Sequence, residues 1–150
     1  CPGGTIREYL RKNKHYHLSE PEIRKIIKDV IQGLVYLHSL KIIHHDIKLE
    51  NFVIGSSGNV KIADFGLSNF QKNENEKKST IFGTLKYLSP EMFRRGSRMK
   101  TYKIDIWAVG VSAFFLLTGS YPFDGPSTEK IMKSIKKGEL HFPLNISEKF

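Results

Sequence analysis

The chain has 150 residues, 39% of them hydrophobic, with one cysteine and a formal net charge of +9. That length suits one domain, or one lobe of a larger one, and ten Phe and six Tyr can build a core, which excludes a disordered chain. The single cysteine excludes a disulfide framework and fits a reducing, intracellular setting, here the cytoplasm.

No signal peptide opens the chain. The longest apolar stretch, Ile104 to Leu117, contains Asp105 and Ser112 and is too short and too polar for a membrane span. Lysines and arginines are spread over 11–14, 24–28, 77–78, 94–103 and 130–137 without interleaved aromatics. They read as a solvated basic surface, and no nucleic-acid partner is expected. Methionine occurs only at 92, 99 and 132, so a chain starting at Cys1 reads as a fragment.

Pro2-Gly3-Gly4 predicts a turn and Thr5 to Arg11 a short helix. Ser19-Glu20-Pro21-Glu22 is a helix start: Ser19 can cap, Glu22 can reach back to it, and proline is tolerated in the first turn. Ile23, Ile26, Ile27, Val30, Leu34 and Leu37 follow at three-and-four spacing and predict one buried face. Lys41 to Asn51 reads as polar and irregular. Phe52–Ile54 and Val60–Ala63 are strand candidates around the turn Gly55-Ser56-Ser57-Gly58.

Asn69 to Lys78 reads as a charged loop, and Ser89-Pro90-Glu91 opens a short helix. Ile104 to Leu117 is apolar almost all round and predicts a helix buried on every side. Ser127 to Lys137 predicts an amphipathic helix with Ile131, Met132 and Ile135 inward and Gly138 as its stop. Ser147 is a further candidate cap.

Two spaced motifs carry chemistry. His44-His45-Asp46-Ile47-Lys48-Leu49-Glu50-Asn51 sets an aspartate and an asparagine five apart. Thirteen residues beyond Asn51, directly after a strand candidate, comes Asp64-Phe65-Gly66. Three oxygen-bearing side chains in this order can surround one nucleotide and its magnesium. The order resembles the catalytic and metal-binding loops of eukaryotic protein kinases of the serine/threonine type. Asp64 to Ser68, Trp107 and Tyr121-Pro122-Phe123 look most like the calcium/calmodulin-dependent and energy-sensing group.

The resemblance covers nearly the whole chain. It implies a mainly α (α+β) fold: the C-terminal lobe of a kinase domain, from the hinge at residue 1 to just past helix G at 150, with a small β-hairpin at the active site. It implies ATP and Mg²⁺ as cofactors and a protein Ser/Thr hydroxyl as acceptor. Asp46 is then the base that orients the acceptor hydroxyl, and Lys48 offsets charge on the transferring phosphate. Thr84, in Gly83 to Glu91, bridges the two and favours serine/threonine over tyrosine. Asn51 and Asp64 hold the metal. Val53 lies under the adenine by the same resemblance, although core burial is the better account of it. Glu50 joins the nucleotide- and substrate-side group. His44 and Phe65 pack together under the site, and Gly66 completes the loop. Asp105 holds the catalytic-loop backbone, and Glu91 is a structural carboxylate whose arginine partner would lie beyond Phe150.

The departures matter as much. His45 stands where many members carry arginine; arginine is always charged and grips phosphate bidentately, and histidine is not and does not. Control through phosphates at Ser79 or Thr80 is therefore expected to be loose. Thr5 replaces a glutamate common in basic-directed relatives, which weakens a preference for arginine upstream of the acceptor, although Glu50 remains. No glycine-rich phosphate loop, strand lysine or partner glutamate is present, so the N-terminal lobe is expected to be missing and the chain alone to be inactive. A non-enzymatic kinase-like binding module is the second reading.

Overall fold

The computed structural model of the chain describes residues 2–13, 18–70, 85–93 and 101–142. Four α-helices dominate it: α1 (Ile6–Lys12), α2 (Glu20–Ser39), α3 (Lys103–Thr118) and α4 (Thr128–Lys137). Two small antiparallel pairs accompany them: β1 (Ile42–Ile43) with β4 (Asn69–Phe70), and β2 (Phe52–Ile54) with β3 (Val60–Ile62).

Local chemistry sets the starts and stops. The Thr5 hydroxyl accepts from the Glu8 N–H at 3.1 Å, and the Glu8 carboxylate accepts from the Thr5 N–H at 2.9 Å, so α1 opens on a reciprocal cap. The Glu22 carboxylate accepts the Ser19 N–H at 2.9 Å, with Pro21 in the first turn of α2. Gly138 ends α4 at φ 70°, a left-handed conformation that costs glycine nothing.

Helix α2 buries Ile23, Ile26, Val30, Leu34 and Leu37, and Ile27 is half-buried beside them. This face packs on α3 and β3. Asp29 on α2 also accepts the Val60 N–H at 2.9 Å, which pins β3 to the helix. Ile47, Leu49 and Phe52 lie fully buried beneath the loop that carries the first motif. Each such side chain is worth about 1.5–3 kcal/mol of burial, so the loop stands on a firm floor.

The segment before α1 runs along β2. The Gly3 N–H donates to Ile54 O at 3.2 Å and the Ile54 N–H to Gly4 O at 2.9 Å. A Cβ on Gly3 would stand 2.6 Å from the Ile54 Cβ, so only glycine permits this approach.

The structure corrects two expectations. Lys41 to Asn51 is not wholly irregular, nor does Asn69 begin as loop: Ile42 and Ile43 pair with Phe70 and Asn69. Helix α3 is not buried on every side. Ile106 is 47% exposed and Gly110 is exposed, because no described element covers that flank. There Trp107, Phe114, Leu117, Phe123 and Phe142 line an open groove of about 530 Å³. Among the described residues, no helix is long and apolar enough to cross a membrane.

Candidate active site

The loop between β1 and β2 carries the first motif, and its shape follows from burial alternating along the chain. The 3₁₀ turn Leu49–Asn51 sends Leu49 and Asn51 inward and leaves Glu50 exposed. Lys48, just before it, is fully extended at φ −165° and ψ 166°.

Asp46 is 5% exposed and lies at the centre. Lys48 Nζ approaches its Oδ2 at 2.6 Å. The Asn51 amide donates through Nδ2 to the same oxygen at 3.0 Å and to the Asp46 carbonyl at 2.7 Å. A buried carboxylate is costly unless it is paired and hydrogen-bonded, and both conditions are met. The Asn51 bonds also turn its amide so that Oδ1 is the atom left over to act as a ligand.

His44 sets the backbone. Its Nε2 lies 3.1 Å from the Ala63 carbonyl and its Nδ1 accepts the Asp46 N–H at 3.3 Å. The two partners demand one neutral tautomer, protonated at Nε2. Burial lowers the His44 pKa below the ordinary 6.5, against a raising effect from the Ala63 carbonyl bond and from Asp105, Asp46 and Asp64. The imidazole is thus held neutral among three carboxylates.

Asp105, on α3, holds the same loop from behind. It is 1% exposed and accepts the His44 N–H at 2.9 Å, the His45 N–H at 3.0 Å and His38 Nε2 at 2.9 Å. His45 has φ 67°, a left-handed conformation that costs a non-glycine residue of order 1–3 kcal/mol unless its surroundings fix it. The Asp105 bonds to successive backbone N–H groups supply that restraint.

The second motif follows β3. Asp64 also adopts a left-handed conformation, at φ 62°, and its Oδ1 accepts the Gly66 N–H at 3.1 Å. A Cβ on Gly66 would lie 3.1 Å from that oxygen. Phe65 stacks at a tilt on His44, with centroids 5.1 Å apart, yet remains 49% exposed. Asn51 Oδ1 and the second Asp64 oxygen are hard oxygen donors, the type Mg²⁺ takes. Val53 is half-buried while its neighbour Phe52 is fully buried, so the two face opposite sides of β2.

Glu50 lies 3.7 Å from Arg7 Nε, and the Arg7 guanidinium sits 4.7 Å above the Phe115 ring. Glu91, in the 3₁₀ turn Pro90–Phe93, is half-buried. Thr84, Ser79, Thr80 and Ser147 lie outside the described residues.

Several contributors were not legible beforehand. His38 completes the Asp105 cage from the last turn of α2, off the stripe of apolar positions; its only signal was a polar residue beside Leu37. Lys86 pairs with Asp124 at 2.7 Å and sits 4.6 Å over the Tyr121 ring. The Lys86 hydrogen bond holds the Asp124 carboxyl below the ordinary 3.8. Tyr87 meets Tyr121 edge-on at 5.6 Å, and burial pushes its phenol pKa up.

A buried aspartate bridged by lysine and asparagine within one loop is braced by a second aspartate on a core helix, an arrangement in keeping with the resemblance to protein kinases. The chain belongs to the protein kinase domain family, whose model matches residues 1–150. Among its relatives, the cell cycle serine/threonine-protein kinase CDC5/MSD2 of Saccharomyces cerevisiae is 38% identical over 95% of this chain. Serine/threonine-protein kinase SIK2 of Gallus gallus is 37% identical over 97%, and Aurora kinase A-B of Xenopus laevis is 37% identical over 99%. The chain spans 20%, 18% and 35% of the lengths of these three relatives.

Proposed function

We propose that this chain is the catalytic lobe of a serine/threonine protein kinase that moves the terminal phosphate of ATP to a protein hydroxyl. The observation that carries the reading is the convergence of Lys48 Nζ and Asn51 Nδ2 on one oxygen of Asp46, at 2.6 and 3.0 Å. Asp46 accepts the hydrogen bond of the acceptor hydroxyl and aims its oxygen at the phosphorus. Lys48, drawn to Asp46, stands where the transferring phosphate gains charge. Asn51 Oδ1 and the Asp64 carboxylate hold Mg²⁺, which when bound neutralises the phosphate oxygens. Val53 faces the adenine. Thr84 bridges Asp46 and Lys48 and selects aliphatic hydroxyls. The elements that cover the nucleotide come from a small lobe.

Two of these relatives are named serine/threonine-protein kinases and the third a kinase, which supports this reading, and nothing favours a non-enzymatic module. The single cysteine fits a reducing compartment, and the cytoplasm is the proposed place of work. The test is phosphoamino-acid analysis of peptides offering Ser, Thr and Tyr in one context, phosphorylated by the full-length protein with Mg-ATP. Phosphoserine and phosphothreonine are expected. Phosphotyrosine as the main product, or no product, would reject the assignment.

A further inference from the structure

Glu50 and Asp124 are already compensated from within the chain. Glu50, the residue that could hold a substrate arginine, has Arg7 Nε at 3.7 Å, and Arg7 is itself seated on Phe115. Asp124 is held by Lys86 at 2.7 Å. Thr5 and Glu8 are spent on each other in the cap of α1.

Helix α4 presents the opposite charge. It packs on the 3₁₀ turns Leu85–Tyr87 and Pro90–Phe93, the segment that follows Thr84, through buried Ile131 and Ile135 against Leu85, Phe93 and Phe123. Lys130, Lys133 and Lys136 are exposed, and among the described residues none of them has an ion pair. Lys130 and Lys133 lie one turn apart, roughly opposite the buried isoleucines. Lys136 Nζ lies 6.0 Å over the Phe93 ring. Glu129 is the one carboxylate within the helix.

We propose that the protein acceptor carries an acidic segment and that the exposed lysines of α4, Lys130, Lys133 and Lys136, are the surface on which it docks. The proposal rests on the kinase reading above. A protein segment fits better than a bilayer, because α4 has turned both its isoleucines inward and keeps no apolar face to insert. Exposed charge of this kind steers encounter and register, and salt screens it.

The test uses the full-length protein and two serine peptides with the same core, one neutral and one extended by a glutamate tract. The acidic extension is expected to lower KM about tenfold at low salt, as a few exposed ion pairs together allow, with kcat unchanged. The triple variant K130E/K133E/K136E should erase that advantage while leaving kcat on the neutral peptide intact. If charge reversal disturbs the melting curve, the triple Lys→Gln variant serves instead. Fluorescence anisotropy of the labelled acidic peptide should show the same loss of binding. Equal KM values for both peptides, or an acidic advantage that survives the lysine changes, would overturn the proposal. So would lysine-dependent capture on phosphatidylserine vesicles without acidic-peptide binding. No turnover on either peptide would instead overturn the kinase reading, and this proposal with it.

Discussion

Replacing Asp105 by asparagine is the sharpest perturbation of the scaffold, because it keeps the shape and changes only what the two terminal atoms can do. Asp105 accepts the His44 N–H and His38 Nε2 on Oδ2 and the His45 N–H on Oδ1. An amide has one oxygen. Its NH₂ must face either His44 or His45, and in both cases a buried backbone N–H meets another donor. Losing one hydrogen bond to a charged acceptor costs about 1.5–3 kcal/mol, and stranding a buried donor costs about 1–3 kcal/mol more. A loss of about 3–5 kcal/mol follows, a large share of the roughly 5–15 kcal/mol a domain possesses. For a chain of this size that lowers Tm by roughly 10 °C. The assay is urea and thermal unfolding by circular dichroism, with amide exchange at His44 and His45 as the local readout. A loss below about 1 kcal/mol, with both amides still protected, would show that Asp105 does not hold the loop.

Burial makes the neutral form of His44 the stable one when folded. The unfolded chain then binds the extra proton first, so stability is full above the ordinary pKa of 6.5 and falls as pH drops through the lower folded value. A His44→Gln variant should show a flatter fall between pH 7 and 5 (about the histidine range) in the same unfolding assay, and an unchanged slope would contradict the assignment. Asn51→Ala removes both the oxygen offered to the metal and the amide that fixes Asp46. It should raise the Mg²⁺ concentration needed for half-maximal turnover by at least about tenfold, the usual scale for shell residues around a metal. An unchanged Mg²⁺ titration would exclude Asn51 as a ligand.

Much of the scaffold was legible because it is written locally. The Ser19–Glu22 start, the stripe from Ile23 to Leu37 and the Gly138 stop are each local signals of helix ends or faces, and each helix forms as they say. Asp105 was legible because a carboxylate inside an apolar helix demands partners. What escaped depends on chain segments meeting in space. A two-residue strand has no periodicity, so the pairing of Ile42–Ile43 with Asn69–Phe70 left no trace. The sequence of α3 is apolar all round, and which flank stays open is decided by its neighbours, not by its own residues. His38 is 67 residues from Asp105, and Arg7 is 43 from Glu50; neither separation has a sequence signature. The left-handed backbone at His45 and Asp64 was equally hidden, since neither is glycine.

Asp46→Asn tests the central claim most directly. Asparagine keeps the size of the side chain and can still meet Lys48 and Asn51 through one oxygen, but it cannot accept a proton from the acceptor hydroxyl. Transfer of labelled terminal phosphate from Mg-ATP to a serine peptide is measured for the full-length protein and the variant, with melting curves to confirm that both are folded. The account predicts that turnover falls at least about a hundredfold, the low end for a positioned base. Turnover within a few-fold of wild type in a folded variant would contradict it.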